Sequence, residues 1–331
     1  MELKSPIFII GAQRSGTNLL ANTLSRLPGV AICRETHFYH YVYSRRRSFG
    51  DLASLKNRVR LVDAFLALER TAWMHVDLGV LRERLLQEAT DYRSFLSTVL
   101  SFYGETQGKR RVGEQRADDR LAEQYCEWFP DAQILHMVRD PRAVVESLMR
   151  MAWAPRNVLT NARWWLNQNS ATIRLEGRLK YLLVRYEDFV REPESELRRI
   201  TEFLGEPYTA AALQGHSDSA RRSLRAIDKS RTELWRESFS PSQVGLIEHM
   251  AGPLLETFGY KPEGIPPSQA AQLIARAREV AAAVHLRIDE FPASLYYAMG
   301  STRIAGEEAA KHRSHRKRGF QPENAARPVT P

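Results

Sequence analysis

Between Ile7 and Leu20 the chain reads IFIIGAQRSGTNLL. Gly11 and Gly16 satisfy the first half of the pattern G-x-x-x-x-G-K-[ST], in which a loop between a strand and a helix cradles phosphate oxygens with its backbone N–H groups. Thr17 stands where that pattern has its lysine, and Asn18 where it has the hydroxyl that holds magnesium. Without those two groups the loop lacks the parts that neutralise a magnesium-loaded triphosphate. It remains suited to a less charged 5′ group, handled by loop amides, by Ser15 or Thr17, and by Arg14. A second cation lies in VRDPRAVVES. Arg139 there ends a strand and faces the crevice, with a fork that suits a pair of phosphate oxygens. An ion pair with Asp140 is the competing use of that guanidinium.

The elements that must position these groups alternate. Ile7–Ile10 is a β-branched run ended by Gly11, followed by a helical pattern through Leu19, Leu20, Leu24 and Leu27 that Pro28 stops. AQILHMVRDPRAVVESLMRMA repeats the unit, with a strand around Ile134–Val138, a turn at Asp140-Pro141 and a helix from Arg142. YLLVRYEDFVREPESELRRITEFLG gives a third, with strand Tyr181–Val184 and a helix from about Pro193 that Gly205 closes. Such alternation predicts an α/β fold, a parallel sheet flanked by helices, with ligands beyond the carboxyl ends of the strands. Residues 39–122 read as a mostly helical cap inserted near the ligand, within a domain covering 1–260. A helical extension is expected over 261–306, docked on the body, with pairing to a second subunit as the alternative. The basic tail 307–331 is expected to be disordered.

Composition is that of a globular protein, 43% hydrophobic and 26% charged, and no apolar run approaches the roughly 20 residues that span a bilayer. No signal-like segment opens the chain, and two cysteines, Cys33 and Cys126, suit a reducing compartment, so a cytoplasmic location is expected. Net charge is +9, which suits an anionic ligand.

Taken with these elements, GAQRSGTNLL resembles the 5′-phosphosulfate loop of the sulfotransferases that use 3′-phosphoadenosine 5′-phosphosulfate (PAPS), whose usual form is close to P-[RK]-[ST]-G-T-T. Arg139 and Ser147 match that family's arginine at a strand end and serine eight residues on, although the spacing alone puts Ser147 two helical turns away. LVRYEDFVREPESELRRITEFLG is similar to its RYEDL…P…L..I..FLG segment. The three come in the family's order and extend the resemblance over about residues 5–260. It implies a P-loop-like sheet, a PAPS-dependent transferase releasing 3′-phosphoadenosine 5′-phosphate, and no required metal.

The resemblance also assigns roles. Gln13, Arg14, Ser15, Gly16, Thr17 and Asn18 would hold the 5′ end, with Arg14 as the cation at the leaving group. Arg139 and Ser147 would hold the nucleotide together with Lys229, Ser230 and Arg231 of DKSRTELWRESFS, a segment that resembles the loop over the adenosine 3′-phosphate. ICRETHFYHY resembles the KE.HFF and GEET segments of carbohydrate and tyrosyl-protein members, which makes Glu35 the first candidate for general base. His37 is the second, because small-molecule members use a histidine and imidazole titrates near neutrality.

VGEQRADDR departs from the family's GEKTP segment. Glu114 is kept and is a third candidate base; Gln115 replaces the lysine, with Arg116 as a stand-in. The glycine-rich R-K-G form of many members is absent, and Trp235 reads equally as a stacking face or as core. The acceptor is expected to be a hydroxyl of a carbohydrate, glycolipid or small metabolite. Two rival readings stand beside this one: a P-loop kinase with a degenerate loop, and a non-catalytic polyanion or nucleic-acid binder suggested by KHRSHRKR, although no nucleic-acid-binding motif is present.

Overall fold

The computed structural model describes residues 3–34, 36–115, 119–214 and 229–267, with a few positions between 269 and 277. The expected tail, most of the C-terminal extension, Glu35 and Arg116 lie outside the described residues. Five strands form one parallel sheet: β1 (Ile7–Ile10), β2 (Val30–Arg34), β3 (Arg111–Gln115), β4 (Gln133–Val138) and β5 (Lys180–Arg185). Their spatial order is β2-β3-β1-β4-β5. The chain leaves β1 toward one side and β4 toward the other, so the order reverses between these two neighbours. That reversal opens a crevice at their carboxyl ends.

Burial on both faces explains why the central strands read as apolar runs rather than alternations. All four residues of β1 are buried, and so are all six of β4. Phe8 and Ile10 pack in one layer with Phe65, Leu81, Phe95 and Leu96 of the helices between residues 55 and 106. Ile7 and Ile9 face the opposite layer, with Leu20 and Leu24 of helix Thr17–Leu24 and Leu197 and Ile200 of helix Pro193–Leu204. Burying each such side chain contributes roughly 1.5–3 kcal/mol, so the loop after β1 hangs from a strand held on both sides.

The stretch 39–122, expected to be mostly helical, carries helices from Phe38 to Thr106 and then β3. This strand sits inside the sheet, between β2 and β1. Its sequence, RVGEQ, conceals it: Gly113 lies so close to β1 that a Cβ there would fall 2.3 Å from the Ile7 carbonyl oxygen. Both cysteines are unpaired. Among the described residues no helix is long and apolar enough to cross a membrane.

Candidate active site

The loop after β1 follows Ile10 and ends at Gly16, which caps helix Thr17–Leu24. Gly16 has φ 101°, in the left-handed region where a Cβ is strained, and Arg14 turns through φ 71°. The turn is closed by the Ser15 N–H donating to the Ala12 carbonyl at 3.1 Å. Gln13 is tied down through its backbone, whose N–H donates to Gln168 Oε1 at 3.2 Å. Ser15 is fully buried, yet its hydroxyl has no hydrogen-bond partner among the described residues. A buried polar atom without a partner is costly unless a ligand supplies one. Asn18 is exposed on the first turn of the helix.

Residues picked from three separate stretches of sequence converge here. Arg14 Nε donates to Ser147 Oγ at 3.0 Å, and Arg139 Nη1 donates to the Arg14 carbonyl at 3.0 Å. Arg139 Nη2 donates to the Arg231 carbonyl at 2.6 Å, which ties the segment after residue 229 to the loop. Arg139 Nε is buried and has no partner among the described residues, a second donor left over. Ser147 therefore reaches the site by holding Arg14, which answers the objection that it lies two turns from Arg139. Of Lys229 and Ser230 only the backbone path is described, a short 3-10 turn over Lys229–Thr232.

Arg139 does not pair with Asp140, because that carboxylate has other work. Asp140 caps helix Pro141–Met149 by accepting from the Arg142 N–H at 2.8 Å, and its second oxygen accepts from Arg142 Nη2 at 2.6 Å. Arg142 in turn reaches Glu248 at 2.7 Å. The arginine one turn on thus absorbs the nearby negative charge and leaves Arg139 to the crevice. The Trp165 indole N–H, donating to the Arg139 carbonyl at 2.9 Å, fixes the backbone behind it.

The arginines crowd one another. Burial first, and then the positive charges of Arg139, Arg150 and Arg231, lower the pKa of Arg14. A guanidinium stays protonated under these conditions, so the crowding is a standing electrostatic demand for an anion.

Tyr186 is a site residue that the sequence reading passed over, although it stands in the quoted RYED motif. Its buried ring lies beneath the Arg139 guanidinium, 4.4 Å from centroid to Cζ, and walls the loop at Gly16. The next residue pins it: Glu187 Oε1 accepts from the Asp140 N–H at 3.0 Å and Oε2 from the Tyr260 hydroxyl at 2.8 Å. Burial raises the Glu187 pKa. The segments just beyond the carboxyl ends of β4 and β5 are thereby bonded to each other, and Arg139 and Tyr186 are held as a pair. The usable signal was an aromatic residue immediately beyond a strand's carboxyl end.

On the β2 side, Thr36 and Glu114 are buried, and the Thr36 hydroxyl donates to Glu114 Oε1. The Phe38 N–H donates to Thr36 Oγ1 at 3.1 Å. His37 has φ 49° and caps the short helix Phe38–Tyr41, its ring centroid 5.9 Å from that of His40. Gln115, in the place of the expected lysine, donates from Nε2 to Thr17 Oγ1 at 3.1 Å. Trp235 is buried with Ala143 and Val244, and the guanidiniums of Arg142 and Arg236 each lie 4.3 Å from its ring, so it belongs to the core. Among the described residues no group of three or more His, Cys, Asp or Glu is placed to hold a metal ion.

A model of the Sulfotransferase family matches residues 6–210, which includes every one of these elements except the segment from Lys229. The chain belongs to the sulfotransferase family. It is accordingly an enzyme, a transferase, and the kinase and polyanion-binder readings give way. The chain is 26% identical over 295 residues to protein-tyrosine sulfotransferase A of Caenorhabditis elegans, covering 82% of this chain and 72% of that protein. It is 28% identical over 164 residues to mouse carbohydrate sulfotransferase 3, covering 40% of this chain and 34% of that one. The sulfotransferase domain of the Synechococcus PCC 7002 olefin synthase superposes with a TM-score of 0.57 at 22% identity, over 79% of this chain and 97% of that domain, a likeness of fold.

Proposed function

We propose that this sulfotransferase draws on 3′-phosphoadenosine 5′-phosphosulfate and sulfonates a hydroxyl of a carbohydrate, a glycolipid, a tyrosyl peptide or a small metabolite. The observation that carries the reading is the joining of Arg14, Ser147 and Arg139 around a loop with two leftover donors, Ser15 Oγ and Arg139 Nε. Those donors fit a ligand with anionic groups at two places. Bound there, the nucleotide supplies an activated sulfuryl group and a phosphate that leaves with growing negative charge.

The chain's own residues would do the rest. The loop amides and Ser15 bind the 5′ end. Arg14, held by Ser147, faces the leaving side, where a preorganised cation is worth about 3–4 kcal/mol of barrier. Arg139, Lys229, Ser230 and Arg231 hold the 3′ phosphate. Glu35 takes the proton of the acceptor hydroxyl, with His37 and Glu114 as the alternatives; names of relatives in the tyrosyl and carbohydrate groups support a hydroxyl acceptor without choosing among acceptors.

The test is incubation of the purified protein with radiolabelled donor and a panel of hydroxyl compounds. Sulfated product is expected, and Arg14→Ala should slow its formation about 100- to 1,000-fold, leaving a residual rate that can be measured. Glu35→Gln should lose turnover while still binding 3′-phosphoadenosine 5′-phosphate in calorimetry; unchanged turnover moves the base to His37 or Glu114. Heat with ATP–magnesium and none with the bisphosphate would refute the reading.

A further inference from the structure

Gln115 sits at the carboxyl end of β3, 1% exposed, where the resemblance leads one to expect a lysine. Its Nε2 donates to Thr17 Oγ1 at 3.1 Å, and its Oε1 is buried without a partner among the described residues. Thr17, the first residue of the helix behind the loop, is itself 7% exposed. Among the described residues Gln115 is the partner of that hydroxyl. A hydroxyl has one proton and two acceptor sites. Accepting from the Gln115 side therefore keeps the Thr17 proton from pointing at Gln115 and leaves it for another acceptor.

We propose that Gln115 is a positioning residue that aims the Thr17 hydroxyl proton into the anion cradle, a neutral replacement for a cation at that place. Electrostatics gives the replacement a reason. Arg14 already bears the repulsion of Arg139, Arg150 and Arg231, and an ammonium at 115 would add positive charge beside a crowded loop. An amide delivers the cation's directional effect through a neighbour's O–H instead. The unpartnered Oε1 adds an acceptor at the same spot, suited to an incoming O–H or N–H and not to an anion.

The inference rests on the cofactor reading given above, and its test separates the two. The affinity of the full-length protein for 3′-phosphoadenosine 5′-phosphate and for pyrophosphate is measured by calorimetry at pH 5.5 and pH 8 in the wild type, Gln115→Glu and Gln115→Met. At pH 8 the Glu variant can only accept from Thr17, which reverses the hydroxyl and brings a negative charge. Relative to the wild type at the same pH, binding should fall about 100-fold there and recover about tenfold at pH 5.5, where a buried carboxyl is protonated and donates again. Gln115→Met, of similar volume, should lose about tenfold at both pH values, and that loss should vanish in a Thr17→Val background.

Thermal melts identify any variant that fails to fold, and either the Glu or the Met variant suffices. A Glu variant whose affinity changes between the two pH values in the same proportion as the wild type's, or a Met penalty that persists in Thr17→Val, overturns the positioning role alone. A wild type that binds neither ligand overturns the cofactor reading and this role together.

Discussion

Substituting one atom tests whether the loop, the Tyr186 ring and Arg139 behave as a single rigid assembly. Gly16→Ala places a methyl group on a residue at φ 101°, where an L side chain costs roughly 1–2 kcal/mol. The new Cβ would also fall 2.5 Å from Tyr186 Cδ2 and 3.0 Å from Met137 Cε. Neither neighbour has room to retreat: Met137 is fully buried on β4, and Tyr186 is 7% exposed and held by the Glu187 bonds. Overpacking of that kind costs about 1–3 kcal/mol, so a total loss of about 2–5 kcal/mol is expected. Gly108→Ala is the internal control. It has φ 62° and nothing within 4 Å of a built Cβ, so it carries backbone strain alone, about 1–2 kcal/mol. The ring also supports the Arg139 guanidinium, which bonds the carbonyls of Arg14 and Arg231. Displacing it should therefore weaken binding of 3′-phosphoadenosine 5′-phosphate by at least about tenfold, one charged hydrogen bond's worth. Urea denaturation of both variants, with calorimetry on the folded fraction, checks the two claims. If Gly16→Ala were no more destabilising than Gly108→Ala and bound the nucleotide normally, Tyr186 and Met137 would not form a rigid wall behind the loop.

Three further outcomes follow from the same contacts. Arg139→Ala should act mainly on affinity, raising the dissociation constant for the bisphosphate by about 10- to 100-fold, since two charge-assisted bonds are lost and the segment from Arg231 is released; calorimetry reads it directly. Ser147→Ala should reduce kcat/KM by about tenfold, the worth of one charged hydrogen bond in a partly open crevice, and by less than about twofold in an Arg14→Ala background, where its partner is gone; additive losses in a steady-state cycle would show that Ser147 acts without Arg14. His136, fully buried between Tyr181 and Asn169, has its pKa lowered by burial from 6.5 to about 4, with the Asn169 bond opposing. The unfolded chain then binds a proton the folded one refuses, so stability is intact above about pH 6.5 and falls as pH drops toward 4, by on the order of 3 kcal/mol from this residue. Denaturation midpoints at pH 7.5 and pH 4.5, compared with His136→Asn, isolate that contribution.

What the sequence made legible, and what it hid, divide along one physical line. β1 and β4 were readable because strands buried on both faces must be apolar, and β5, a mostly half-buried edge strand, because its apolar run Tyr181–Val184 stands before a helix start. Helix Pro193–Leu204 was readable because Pro and Gly mark its ends. β3 was not, and the cause is the site itself. Glu114 and Gln115 are buried polar residues at the crevice end of the strand, bonded to Thr36 and Thr17, and Gly113 is required by the close approach of β1. A strand whose side chains are recruited for hydrogen bonding loses the pattern that announces a strand. Arg139 shows the same rule from the other direction. Its motif was visible, but whether it was spent on Asp140 or kept for a ligand depended on Arg142, which reaches across to Glu248, over a hundred residues away in sequence. Local spacing cannot carry that information. Ser147 and Tyr186 were each quoted within motifs, yet their physical roles, one bracing Arg14 and the other flooring Arg139, exist only once the β4 and β5 ends are bonded together. The chemistry-bearing residues were thus legible by type, while their division into groups that touch a ligand and groups that aim them was a property of the fold.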